Sequence, residues 1–336
     1  MKYLFFPFII ISSLFGNNLE ERISILEGEM KEVGISNQEG SFGANFANDT
    51  FEKGWIGLQF SASPLYWHAK VGGTEYVYKL ATKSKGKVET QSFDWDWGYR
   101  LSACLQLPIV KWEIKGTYTH FGTQDKEGKS AIPPSLLVSL KSAIPPSHLK
   151  ATSDYKIDYD NVTLSIEKSS FLSRLFGLST ELGLRKAWIN QKQGVTYEGT
   201  EKIRIKDWCH FEGIGPFLGL KLKWYLISNI ALISSADTSL LYGHFNVKHY
   251  ENEIQLSGNS HLFTPIIHFF AGINWDFPLK WTQLSFLVGY EGEYFWRQNQ
   301  SVEIETNKTK DFRFQLIRYA EDLTFYGLTM RVAIDF

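Results

Sequence analysis

FDWDWGYRLSACLQL, residues 93–107, places Phe93, Trp95, Trp97, Tyr99, Leu101, Ala103 and Leu105 on one face. Asp94, Asp96, Gly98, Arg100, Ser102 and Cys104 fall on the other. A period of two held this long excludes a helix, whose faces repeat every ~3.6 residues. KWEIKGTYTHF (111–121) does the same, with Trp112, Ile114, Tyr118 and His120 opposite Lys111, Glu113, Lys115, Thr117 and Thr119. TQLSFLVGYEGEYFW (282–296) alternates with Leu287 and Phe295 as exceptions. The closing stretch LTFYGLTMRVAIDF (323–336) alternates Tyr326, Leu328, Met330, Val332, Ile334 and Phe336 with small, polar or charged residues.

The connections between such stretches alternate in length. Short ones fall at 107–110, 169–177, 226–229 and 276–280, and long polar ones at 70–90, 123–153, 191–203, 248–257 and 298–318. Tight turns at one end and long loops at the other are the pattern of an up-and-down membrane barrel. The spacing predicts an all-β fold, a transmembrane antiparallel up-and-down β-barrel of about ten strands. The strands fall near 54–69, 91–106, 110–122, 154–168, 175–190, 204–225, 228–247, 259–276, 280–298 and 320–336. Eight or twelve strands also fit, because 72–83 reads as half of an extra hairpin. A soluble barrel would alternate with its apolar face inside. Long strands, aromatics at strand ends and charges beside glycines on the polar face favour the membrane form.

The chain has 35 Lys plus Arg against 36 Asp plus Glu, so net charge gives no pull towards nucleic acid or anionic lipid. Aromatics make up 15% of residues, and many are Trp and Tyr, which favour boundaries between apolar phase and water. MKYLFFPFIIISSLFGNN opens with one Lys and an apolar core, which reads as a signal peptide over 1–16. No later apolar run is long enough for a spanning helix. Residues 17–50 read as a periplasmic helix and linker, with Leu19, Ile23, Leu26, Met30 and Val33 in coiled-coil spacing. That Leu19–Val33 seam is a candidate contact for a homo-oligomer, or an amphipathic helix lying on its own barrel. The barrel domain is 51–336.

With the apolar stripe towards lipid, the polar stripe faces the lumen. The candidate pore-lining residues are Asp94, Asp96, Arg100, Lys111, Glu113, Lys115, Glu181, Arg185, Lys221, Lys223, Glu291, Glu293, Arg297 and Arg331. Lys156, Asp158, Asp160 and Glu167 join them if the strand bulges near 160. Balanced charge in a narrow barrel has two readings: a small weakly selective pore, or a salt-bridge plug. The outer loop 129–150 repeats SAIPPS at 130–135 and 142–147, around an apolar middle that could fold into the mouth.

The histidines show no HExxH spacing and the cysteines no CxxC, so neither a metal nor a cofactor is expected. His268 reads as a hydrogen-bonded lumen filler. His210 and Glu212 are the best candidates for rim chemistry, and one such pair is too little to predict an enzyme. Cys104 and Cys209 fall near opposite ends of the barrel and are not expected to bond.

DWDWGYRLSACLQL (94–107), FEGIGPFLGL (211–220) and MRVAIDF (330–336) resemble the major outer membrane protein-like porins of legionellae and chlamydia-like bacteria. The resemblance spans about 54–336. It implies a pore-forming, often oligomeric protein of the bacterial outer membrane, in contact with outer-membrane lipid, with an exposed and sometimes adhesive loop face. It also implies that the terminal Phe336 is part of a sorting signal read by the barrel-assembly machinery. Family members often carry a basic residue after GIGP, where this chain has Phe217.

Overall fold

The computed structural model describes residues 57–336 apart from 83–84, 108–111, 131–135, 142–146, 149, 174, 200–201, 228, 253, 280–281 and 308–312. The segments expected to be a leader (1–16) and a helix and linker (17–50), and Lys111, lie outside the described residues.

Fourteen strands among the described residues follow the alternating sequence: β1 (Gly57–Val71), β2 (Glu75–Thr82), β3 (Lys85–Thr90), β4 (Trp95–Leu107), β5 (Trp112–Ser130), β6 (Leu136–Ser139), β7 (Ser147–His148), β8 (Lys150–Phe171), β9 (Phe176–Glu198), β10 (Lys202–Ile227), β11 (Ile230–Glu251), β12 (Ile254–Pro278), β13 (Gln283–Asn307) and β14 (Arg313–Asp335). Ten of them close into an antiparallel barrel in the order β1-β14-β13-β12-β11-β10-β9-β8-β5-β4. The last strand pairs with the first from Gln59↔Asp335 to Val71↔Leu323, which removes both sheet edges. Phe336 extends that pairing: its N–H donates to Leu58 O at 2.9 Å.

The 72–83 stretch does supply half of a hairpin, β2 paired with β3, but outside the ring. β2 and β3 join β6 and β7 in a separate four-stranded sheet ordered β3-β2-β6-β7. The apolar middle of the duplicated loop thus becomes a strand of this sheet. Tyr76, Val77 and Leu137 bury themselves against Ala151, Val195, Tyr197, Ile203 and Ile205 on the barrel wall. Burial and the nearby Glu127 and Glu89 push the Tyr76 hydroxyl upward from its ordinary pKa.

The long polar segments at 191–203, 248–257 and 298–318 are mostly strand, not loop. β9 to β14 run 22 to 26 residues each. On β10 the exposed outward residues are apolar from Ile214 to Trp224 and polar or aromatic from Lys202 to Glu212. The 214–224 stretch rises about 25 Å at a tilt of about 40°, the height of a hydrocarbon band. The remaining wall, 202–213, stands another ~28 Å beyond it. Ring pairs mark the band's edges, with Phe176 on Trp224 (5.4 Å) at one end and Tyr242 on Phe263 (5.1 Å) at the other.

Inside, polarity inverts at the same height. In the membrane half the lumen is lined by charges. In the outer half it is filled by Trp67, Phe121, Tyr155, Tyr159, Phe211, Phe245, Phe295 and Phe325, none more than 2% exposed. The FEGIGPF stretch contributes directly. Gly213 and Gly243 face each other across β10 and β11, and a Cβ on either would collide with the Phe211 ring. Leu287, an apparent exception in the sequence, packs inward on Ile233 and Phe270, and Phe295 joins the aromatic fill.

Candidate functional site: a charged chamber beneath an aromatic plug

Most of the sequence-derived lumen residues converge on one chamber. Arg100 on β4 reaches across to Glu291 on β13 at 3.0 Å. Arg185 on β9 spans Asp237 on β11 (2.8 Å) and Glu293 on β13 (3.3 Å). Lys115 approaches Glu181 at 3.6 Å, Lys223 approaches Asp276 at 3.2 Å, and Lys221 pairs with Glu167. His268 stands at the centre, with Nδ1 2.6 Å from Asp237 and Nε2 2.8 Å from Glu291. Buried charges demand partners, and here acids and bases on strands one to four places apart on the ring supply them. Arg331 faces the same chamber and makes no ion pair among the described residues. A cavity of about 150 Å³ remains between these side chains.

Other candidates sit elsewhere. Asp96 faces inward in the outer half, where Thr123 donates to it at 2.5 Å. Glu113 accepts from the Cys104 thiol at 3.4 Å near the periplasmic end. Asp94 precedes β4 and is exposed, while Phe93 turns in against Tyr155 at 5.5 Å. Arg297 is exposed in a bulge between Phe295 and Asn299, at φ 52°, so it does not line the lumen. There the irregular register breaks the parity on which the sequence reading relied.

Lys156, Asp158 and Asp160 also face outward, and β8 carries no bulge to turn them in. Its odd-numbered Tyr155, Ile157 and Tyr159 point inward because this part of the strand lies above the band, where the inside is apolar. Asp160 instead holds Tyr118 (2.6 Å) and His120 (2.8 Å) on the outer surface. His210 and Glu212 share an outward face but are engaged separately, by Asn190 at 2.5 Å and Lys186 at 2.7 Å. Cys104 and Cys209 are free thiols.

Asp237 and Asp276 were invisible as lumen groups. Asp237 sits in a short polar run (SSADTS) with no alternation to orient it, and Asp276 was read as part of a turn. Phe217, the departure from the family pattern, lies on the lumen face with the Arg185 guanidinium 4.8 Å above its ring.

Above the chamber the aromatic fill crosses the lumen. Tyr159 on β8 and Phe295 on β13 lie five places apart on the ring of ten, hence on opposite walls, and their rings meet at 5.4 Å. Phe325 touches Phe121, Tyr159 and Phe295 at 5.2, 5.2 and 5.8 Å. Trp67 completes the layer, and the Arg100 guanidinium lies 5.6 Å from its ring.

A closed ring of ten antiparallel strands with an apolar belt outside and charges inside defines a transmembrane β-barrel of the bacterial outer membrane. Residues 52–336 match the family described as the Legionella pneumophila major outer membrane protein precursor, and the chain belongs to that family. The fold is similar to that of the outer membrane protease OmpT from Escherichia coli (10% identity, 83% of this chain and 96% of that one, TM-score 0.45). It is also similar to a major outer membrane protein from Thermus thermophilus (8% identity, 84% and 99%, TM-score 0.36). The P. putida toluene transporter TodX aligns over 87% of this chain and 90% of its own at 9% identity and TM-score 0.22. No curated protein matches the sequence.

Proposed function

We propose that this protein is a non-catalytic outer-membrane barrel with a closed resting lumen, whose work is done by its outer half as a rigid surface platform. The observation that carries this is the contact of Tyr159 with Phe295 across the full width of the ring. Beneath it, Arg185 and Arg100 tie together strands four and three places apart on the ring. A ten-stranded ring is narrow enough for side chains to fill it. The docked β2-β3-β6-β7 sheet and the tall wall would form the adhesive or anchoring face.

The second reading is a pore for passive diffusion of small solutes, favoured by the charge-lined chamber and its 150 Å³ of space. It requires the aromatic layer to move. Export through a leader at 1–16, recognition of the closing strand by the assembly machinery, and self-association through Leu19–Val33 belong to the same proposal.

Efflux of a small sugar from proteoliposomes loaded with folded protein separates the two readings. The closed reading expects efflux no faster than from lipid alone. Efflux proportional to the amount of folded barrel would establish the pore.

A further inference from the structure

Among the described residues, the outer surface of β9, β10 and β11 differs from that of the neighbouring β8. At and above the edge of the apolar band these strands turn Lys186, Lys192, Lys202, Arg204, Lys206 and Lys248 outward, against two carboxylates, Glu198 and Glu212. Neighbouring β8 turns out Asp154, Asp158 and Asp160 against Lys150 and Lys156 at comparable height, so its balance is acidic. The basic character is therefore local.

Within it the strand register builds a clamp. Trp208 pairs with Lys192 on one side and Lys248 on the other. Their ammonium groups lie 5.3 and 6.0 Å from the indole centroid, and Tyr250 flanks it at 6.0 Å. The row below sets His210 between Asn190 and Asn246, which supplies further hydrogen-bonding groups. At the edge of the band a groove of about 280 Å³ is lined by Lys186, Ile214, Tyr242, His244 and His261. Glu212 holds Lys186 at 2.7 Å and keeps this lower level near neutral, so the net positive charge sits at the clamp.

Height decides what could reach it. Trp208 stands about 15 Å above Ile214, the last outward apolar residue on its strand. A phospholipid headgroup layer is only about 5–8 Å thick on each side of a bilayer. A headgroup made of several sugars extends further. Aromatic faces stack on sugar rings, and flanking ammonium groups pair with phosphate.

We propose that the outward face of β9–β11 binds a phosphorylated glycolipid of the outer leaflet. Its acyl–sugar junction would lie in the groove at Tyr242 and His261, and its anionic sugars on the Lys192–Trp208–Lys248 clamp.

The test uses the refolded chain in phosphatidylcholine nanodiscs, titrated with purified rough lipopolysaccharide and read by retained mass. The wild-type chain retains the glycolipid, and Lys192→Ser/Lys248→Ser weakens retention about thirtyfold, at the typical strength of a lysine beside an anionic surface. Trp208→Ala also weakens it, while Lys126→Ser/Lys156→Ser on β5 and β8 leaves it unchanged. The proposal is overturned if chemically dephosphorylated glycolipid is retained equally well, or if phosphatidylglycerol is. An equal loss in the β5/β8 variant would also overturn it. Displacement by inorganic phosphate alone would assign the clamp to a free anion and remove the lipid.

Discussion

The two halves of this barrel are built on the same strands with opposite polarity. On β10, Leu218 and Leu220 face lipid while Lys221 and Lys223 face the lumen. Nearer the start of that strand, Arg204 and Lys206 face outward while Ile203 and Ile205 are buried inside. The backbone pairing runs unbroken through the change. The solvent outside decides the side chains: oil demands apolar groups out, and water demands them in. Apart from Arg331, the membrane half therefore carries its charges as paired networks, and the outer half carries an ordinary hydrophobic core.

Substitutions can break each half in its own way. The largest effect is expected for Arg185→Ala, which leaves Glu293 with no ion pair among the described residues and Asp237 with His268 alone. The loss should reach about 5 kcal/mol, the upper end for breaking a buried ion pair. Urea unfolding in detergent micelles measures it, and adding Asp237→Asn and Glu293→Gln should recover a large part. An Arg185→Ala barrel as stable as the parent would mean that the chamber is well hydrated.

Next comes the outer half's core. Phe325→Ala removes the ring at the hub of the aromatic layer and should cost about 4 kcal/mol. Unlike the chamber variant, it should also raise sugar efflux from proteoliposomes. Stability loss without efflux would show that the layer has redundant seals.

A single charge should then feel the difference in outer solvent. Leu220→Lys on the lipid face should cost about 3 kcal/mol. The reverse exchange above the band, Arg204→Leu, should stay within about 0.5 kcal/mol. Equal costs at the two positions, in parallel urea titrations, would erase the boundary drawn between Glu212 and Ile214.

Much of the ring was legible in the sequence because strand alternation is a local signal. Trp95 to Leu105 and Leu328 to Phe336 announce their outward faces without any knowledge of the fold. Which face is outward is not a local property, and that is where the reading failed. KIRIK (202–206) and DYKIDYD (154–160) alternate as cleanly as the membrane segments, but with the opposite sign. Assuming one sign for the whole chain turned Asp158 and Asp160 inward and made loops of wall. The chamber was half legible for a related reason. Parity located Arg100, Arg185, Glu291 and Glu293, and His268 as well. Their partners across the barrel depend on strand register and tilt, which no single strand encodes, so Asp237 and Asp276 escaped. The four-stranded sheet was hidden because strands as short as β6 and β7 leave too few alternations to see.

The most direct test of the closed lumen is planar-bilayer conductance of folded chain lacking residues 1–16, beside Phe325→Ala. The account predicts a silent parent and stepwise channels from the variant. Stable unitary channels from the parent, in protein verified as folded and inserted, would contradict it and make the charged chamber a working pore.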